Sequence, residues 1–473
     1  MSGLLSSLFD AGVQGGDASS NELIKALSAG YGTDSATMTG GRSLIPEDIE
    51  STLVMALDAT QEDFKFMNAL KKQPVYSTVH EYTRLNEVGS GLSFVGEGEA
   101  SVETDSEYER VVQPVKYLQT ERRVTLQMTN AQTLVDAIGQ EKINGTLLLL
   151  QAAETANFRG NASVNPAEYN GVLAQIYSAT KKNVVDLRGK RMSSTDGENA
   201  INEIAQSVFE NTRGGSGLTD AFMPSIIASD VQALARDRYR FSQDTSKGQP
   251  VVTTYPNVFG GDISIGQRSG PTKFFRPKGT IVANGDAAKR PGAPATVVLT
   301  AQTKTGGLGF LTADAGDYEY VVHSINQYGT SAGTPASAAV SVANGEEVEI
   351  AIAKPASGPL PTGYIITRSK KGVAGGHLEM VRVAYTGATQ DVLDRNEDLP
   401  GTGEVVFISN SPLFNSIQFN QFLPLMKFDL YPGPGGGAIH PFLLLLWGSL
   451  DVKVPWYHGV IKNISYAGLD WFA

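Results

Sequence analysis

The chain contains no cysteine. Disulfide frameworks, thiol catalysis, iron–sulfur clusters and cysteine-based zinc sites are therefore excluded. Histidine is scarce: His80, His323, His377, His440 and His458 have no histidine partner three or four residues away, and HExxH is absent. No stretch approaches a bilayer span, since the strongest apolar run, Phe442–Trp447, is six residues. Lys and Arg are absent from the first ten residues, whose apolar stretch is broken by Ser6, Ser7 and Asp10. The expectation is a soluble chain without a secretion signal, from a reducing or redox-indifferent setting. A basic surplus is also missing: 49 acids against 38 Lys and Arg give a net charge of −11. A protein that grips nucleic acid over a broad face has the opposite balance, so DNA near this chain is expected to be enclosed rather than bound.

What is present is a 473-residue chain that is 41% hydrophobic and only 18% charged, with 51 glycines. That length suits two or three modules, and that composition excludes a long coiled coil and a fully disordered chain. Residues 1–45 alternate small apolar patches (Leu4, Leu5, Leu8; Leu23, Ile24, Leu27) with Gly/Ser stretches and cannot build a core, which predicts an arm or tail. Pro46, Glu47 and Asp48 predict a helix start, with Ile49, Leu53 and Leu57 at helical spacing and an end near Leu70.

From Val75 to Thr125 the period becomes two. Glu97, Glu99, Glu103, Asp105, Glu107 and Glu109 all occupy odd positions, so an extended strand would carry them on one face as an acid ladder. This predicts a long two-stranded excursion projecting from the body. Its acids are either a solvated face or a docking strip for basic residues of a neighbouring copy, with Arg122 and Arg123, or Lys71 and Lys72, as the complementary charges. A long helix is expected over 129–158, with a capping box at Thr129 and Gln132 and an apolar arc through Ile138, Leu149, Ala153 and Ala156. Gly139 and Gly145 within it predict a bend or close packing. Further on, a helix around Asn202–Phe209, a strand at Ala221–Met223 and a helix opening at Pro224–Ser225 are expected. Residues 291–395 carry about six short strands with almost no helical pattern, as in a β-sandwich inserted into a surface loop.

Chemistry is thin. Gly329–Thr330–Ser331–Ala332–Gly333 matches G-x-S-x-G, but no helical pattern follows, so a Gly/Ser loop between sandwich strands is the plainer reading. The glycine clusters at 306–309 and 433–437 lack a GKS or GKT ending and read as turns. No catalytic, cofactor-binding or metal-ligating residues are assigned.

The order of elements (loose arm, two-stranded excursion, long apolar helix, then AFMPSIIASDVQALARDRYR at 221–240 and FGGDISIG at 259–266) resembles the major capsid proteins of tailed bacteriophages with the Hong Kong 97-type (HK97-like) fold. The resemblance implies an α+β fold and a division of the chain. Residues 1–45 would be the N-terminal arm, 46–74 the N-terminal helix region of the peripheral (P) domain, 75–125 the E-loop, and 126–200 the P-domain with its spine helix. Residues 201–290 would be the axial (A) domain and 396–473 the return through both. The insert, through YVVHSINQYGTS at 320–331, resembles a fibronectin type III or other immunoglobulin-like domain, although its three tryptophans-in-chain lie outside it, at 447, 456 and 471.

The implied function is self-assembly into an icosahedral shell around double-stranded DNA, with no enzymatic activity and no cofactor. The implied partners are other copies as hexamers and pentamers, a portal, a separate scaffolding protein, a decoration protein, and DNA held without sequence-specific contacts; no membrane is involved. The implied location is the virion capsid, assembled in the host cytoplasm. The alternatives are a phage tail component or adhesin, an encapsulin-like cargo shell, or a hydrolase using Ser331.

Overall fold

The computed structural model describes residues 64–89, 94–100, 103–130, 136–212, 217–238, 254–256, 259, 261–266, 269–410, 415–431 and 437–469. The expected arm, the helix start at Pro46, and most of the 433–437 glycine cluster lie outside these residues. Nearly all that is described belongs to one compact unit, Asp58–Ala131 with Ala137–Ala473.

The apolar run Phe442–Trp447 lies within the strand Ile439–Val452, which pairs antiparallel with Ile417–Asp429 on one edge and Lys116–Thr125 on the other. Lys71–Pro74 runs parallel to Ile417–Asp429 and completes a four-stranded sheet. An unbroken apolar run is what a strand buried on both faces requires. The long helix, Ala137–Arg159, crosses one face of this sheet, its Leu149, Ala153 and Phe158 sharing a core with Phe442, Leu444, Leu446 and Leu450. Close packing at Gly145 is realised: a Cβ there would lie 2.5 Å from Leu444 Cδ1.

The helix begins later than expected. Thr129 does not cap it, because its hydroxyl donates to Leu126 O inside a separate short helix, Leu126–Asn130; Gln132 is outside the described residues. Ile143 and Leu148, on the helix face away from the sheet, are exposed.

At its C-terminal end the helix holds the short helix Lys65–Ala69 through Glu154, a carboxylate that is 0% exposed. Its two oxygens accept from Phe66 N (3.0 Å) and Met67 N (2.9 Å), supplying acceptors for first-turn donors that have none within the helix. Phe66 packs on Phe158 and Phe222 beside it. Burial without a cation raises the Glu154 carboxyl from 4.5 to about 7, against the lowering effect of the two N–H donors.

A second sheet, of seven strands, is centred on Gly459–Ile464, Gly403–Ile408 and Asp220–Pro224. Thr195–Asn211 and Ser225–Arg238 pack on it through Ile201, Ile204, Val208, Ile227 and Val231. The strand at Ala221–Met223 and the helix opening at Ser225 appear as the sequence predicts. The preceding helix is longer than expected, because the Ser194 side chain caps it by accepting from Gly197 N. His458 is buried at the foot of this sheet, its Nδ1 accepting from Ser409 N, and burial lowers its pKa from 6.5 to about 4.

The inserted module is a sandwich. Val297–Thr303, Glu346–Ala353 and Thr389–Asp394 form one sheet, and Tyr320–Asn326, Gly363–Arg368 and Leu378–Ala384 form the centre of the other. Val297, Tyr320, Val322, Val348, Ile350, Tyr364 and Ile366 fill the space between them. Its sheet starts earlier than position 291, because Asn284–Gly285 pairs with Gly329–Thr330. In place of a core tryptophan, the buried Arg368 guanidinium lies over Phe310 and Tyr318 and pairs with Asp394 at 2.6 Å. Both connections to the body bind one residue of the sandwich: Glu379 N donates to Gly279 O, and Gly401 N donates to Glu379 O.

The two buried titrating groups act in opposite senses. Stabilisation from Glu154 is complete below pH 4.5 and is lost as pH rises through about 7. That from His458 is present above pH 6.5 and is lost as pH falls through about 4. Glu154→Gln should remove a destabilisation of up to about 3 kcal/mol that the parent shows between pH 5 and 8. Urea unfolding of both chains at the two pH values checks this; equal pH dependence would refute it.

Candidate functional site

Val79–Glu87 and Glu107–Pro114 pair antiparallel, from Val79 opposite Pro114 to Leu85 opposite Tyr108, and form a two-stranded sheet of their own. Period two gives such a ribbon two faces. The half-buried face carries His80, Tyr82, Arg84 and Asn86, and it rests on the side of the four-stranded sheet opposite the helix. His80 Nε2 lies 3.4 Å from Asp451 Oδ2, the Tyr82 hydroxyl donates to Val452 O at 3.3 Å, and Arg84 donates to Lys453 O at 3.4 Å. The Arg84 guanidinium also stands over Trp456, 5.0 Å from the ring centroid.

Beneath lies a buried polar chain. Asn415 donates to Gln418 (2.7 Å), Gln418 to Asn420 (2.8 Å) and Asn420 to Asp451 (2.5 Å). Burial raises the Asp451 carboxyl above the usual carboxylate range, with Asn420 and His80 opposing. Burial also raises the Tyr82 phenol, helped by the Asp451 charge.

The other face of the ribbon is exposed throughout and mixes Val79, Leu85, Tyr108 and Val112 with Glu81, Thr83, Glu87 and Arg110, of which Arg110 pairs with Glu81. Past the strands, Val88, Phe94 and Val95 are exposed as well. The ribbon therefore lays polar groups on its own body and leaves four large apolar side chains facing outward among charged ones. A ribbon folded for the stability of one molecule turns such side chains inward.

The expected acid ladder is a strand only at Glu107 and Glu109. Glu97 sits in a turn with Gly98 at φ +89°, a conformation no strand uses, and Glu103 and Asp105 lie in irregular backbone. Glu99 turns back to accept from Gly96 N. Like charges on one strand face repel, which removes any incentive for a regular ladder. Glu109 is committed within its own hairpin, where Arg84 at 2.5 Å and Asn86 hold its carboxyl below the usual range; Glu107 stands next in register, opposite Glu87. Arg122 is paired with Glu141 of the long helix at 3.3 Å, and Arg123 is 3.7 Å from Glu121. Lys71 and Lys72, on the edge strand, are exposed.

Ser331 is buried in a loop of the sandwich. Its hydroxyl donates to Ala332 O and accepts from Ser324 N, and His323 meets the Ser331 carbonyl rather than its hydroxyl. No helix follows it, so the strained elbow of a hydrolase is not formed. Among the described residues no group of three or more His, Asp or Glu is placed to hold a metal ion. The polar seat under the hairpin was missed in the sequence. Its signal was there, in the alternating Gln418 and Asn420 and the alternating Ser449 and Asp451 within otherwise apolar strands.

No protein-family model and no curated protein matches the chain. Among solved structures, it is similar to the capsid of an empty GTA particle (TM-score 0.49, 10% identity, covering 92% of this chain and 100% of that one). It is also similar to a chain from Mycobacterium phage Bobi (TM-score 0.42, 10% identity, 89% and 96%) and to the Phage G gp27 major capsid proteins and gp26 decoration proteins (TM-score 0.42, 8% identity, 90% and 97%). With TM-scores below 0.5, these likenesses carry no weight of their own, and function is read from the geometry.

Asp451→Ala removes the acceptor shared by Asn420 and His80 and should cost about 1–3 kcal/mol. Limited proteolysis should then cut within 75–115 several-fold faster than in the parent, while the sandwich stays intact. An unchanged cleavage rate would show that the seat does not hold the hairpin.

Proposed function

We propose that this chain is the major capsid protein of a tailed bacteriophage, a subunit of HK97-like type that self-assembles into an icosahedral shell around double-stranded DNA. The observation that carries this reading is the hairpin's outward face, where Val79, Leu85, Tyr108 and Val112 are exposed on the side turned away from the sheet beneath it. Apolar surface gains about 25 cal/mol for each Å² removed from water, so these residues find their stabilisation on another molecule. Repetition of one chain is the simplest source of that molecule.

Other features fit the same reading. Ile143 and Leu148 of the long helix are exposed as well. The net charge of −11 suits a container whose contents must not be gripped.

In this reading the hairpin of residues 75–115 acts as the E-loop, ending sooner than the expected 125 because Lys116–Thr125 joins the four-stranded sheet; the long helix is the spine of the P-domain, and the seven-stranded sheet with its two helices is the A-domain. Copies form hexamers and pentamers; the further partners are a portal, a separate scaffolding protein and a decoration protein. The acids Glu97, Glu99, Glu103, Asp105 and Glu107 serve as contacts between copies. Glu109, Arg122 and Arg123 serve by holding the hairpin and its sheet in shape. Assembly takes place in the host cytoplasm and the product resides in the virion.

Electron microscopy of the purified chain should reveal closed particles of uniform size. Val79→Ser, Leu85→Ser and Val112→Ser together should lower particle yield at least tenfold, while the unfolding free energy of the dissociated chain shifts by no more than about 0.5 kcal/mol for each exposed site. A chain that stays a monomer at high concentration under all conditions would overturn the proposal.

A further inference from the structure

A cavity of about 330 Å³ lies where the inserted sandwich meets the body, walled by the end of the long helix, by both connecting segments and by the sandwich strand Leu378–Ala384. The carboxylates in its wall are all matched. Glu404, which is buried, accepts from the Tyr177 hydroxyl at 3.1 Å and lies 3.4 Å from Arg159. Glu379, also buried, is 2.7 Å from Arg382, and Asp398 is 3.6 Å from Lys462.

Two donors in the same wall remain. Lys278 has no ion pair among the described residues, although its backbone is fixed by donation from N to Thr402 O. The Nε–H of Arg159 is buried, and no acceptor among the described residues reaches it. A buried donor left in this way calls for a partner. Burial pushes the Glu379 carboxyl up, yet Arg382, Arg159 and Lys278 together bring it below its usual value, so the field in the cavity is positive. Between these charges the wall is apolar, with Leu173 and Met380 buried in it. Its volume falls in the range of small-molecule sites, about 300–1,000 Å³.

We infer that this cavity binds a small organic monoanion, with a carboxylate or other singly charged oxyanion group held by Arg159 and Lys278 and an apolar body against Leu173 and Met380. Arginine and lysine donate hydrogen bonds and accept none, so the partner must be an acceptor, and a negative one is favoured. A single negative charge completes the balance of the wall, whereas a second would leave it in excess. The cavity belongs to one copy of the chain, so the inference stands apart from the shell reading. Arg159 ends the long helix and Lys278 lies on the segment entering the sandwich. A bound anion therefore ties that segment to the body and stiffens the mounting of the sandwich.

Benzoate, octanoate and 2-naphthoate, each paired with its neutral amide, test the inference by ligand-observed NMR on the full, dissociated chain. At least one carboxylate should bind with a Kd of about 1 mM or lower, about tenfold tighter than its amide. Lys278→Gln should weaken that binding several-fold and leave the thermal midpoint of the unliganded chain unchanged, because Lys278 has no ion pair to lose. Lysine acetylation read by mass spectrometry locates the site: the bound carboxylate should slow modification of Lys278 several-fold and leave exposed Lys72 at its unliganded rate. Binding by none of the carboxylates, equal binding of acid and amide, or protection that bypasses Lys278 overturns the inference. Each of these results leaves the shell reading standing, and failure of the chain to form particles removes the shell reading without touching the cavity.

Discussion

The strand Ile439–Val452 is hydrogen-bonded along both edges and covered on both faces, and the architecture leans on it. Backbone pairing with Ile417–Asp429 and Lys116–Thr125 fixes its position in the sheet. Its apolar side chains then decide where the long helix lies, and Ser449 and Asp451 decide where the hairpin rests. A dry contact on one face and a polar contact on the other have different consequences. The helix contact excludes water and is lost only when the sheet unfolds. The hairpin contact is made of groups that water can satisfy equally well, so it holds position at small net free energy.

That difference separates what stabilises the single molecule from what it leaves exposed. The core under the helix, with Phe66, Phe158 and Phe222 in mutual contact, supplies the stability of the single molecule. The ribbon carries Val79, Leu85, Tyr108 and Val112 outward, where they add nothing to that core. The buried ion pair of the sandwich, Arg368 with Asp394, follows a third logic. Buried pairs of this kind add little net stability over an apolar core, but they penalise any other arrangement of the loops they join.

Much of this was legible in the sequence wherever one periodicity ran unopposed. Ala221–Met223 followed by Pro224 marked a strand-to-helix junction, and regularly spaced short strands marked the sandwich. The sequence misled where local chemistry outweighed periodicity. Alternating acids from Glu97 to Asp105 have the spacing of a strand, yet Gly96 and Gly98 remove the backbone constraint and mutual repulsion removes the gain from order. Thr129 has the spacing of a cap, but its hydroxyl is satisfied one turn back at Leu126. Which side of the hairpin faces the body was not legible at all. Alternation reveals that a strand has two faces, and only the folded body reveals which of them is turned inward.

Because Glu379 binds the incoming segment at Gly279 and the outgoing one at Gly401, the sandwich has no slack in its mounting. It is a bracket rather than a pennant. In the shell proposed above, anything carried on its far loops would keep a constant angle and height above the surface below, copy after copy. A lattice of such brackets would present its outermost loops at a spacing set by the lattice alone, which would favour multivalent contact with a flat, regular target.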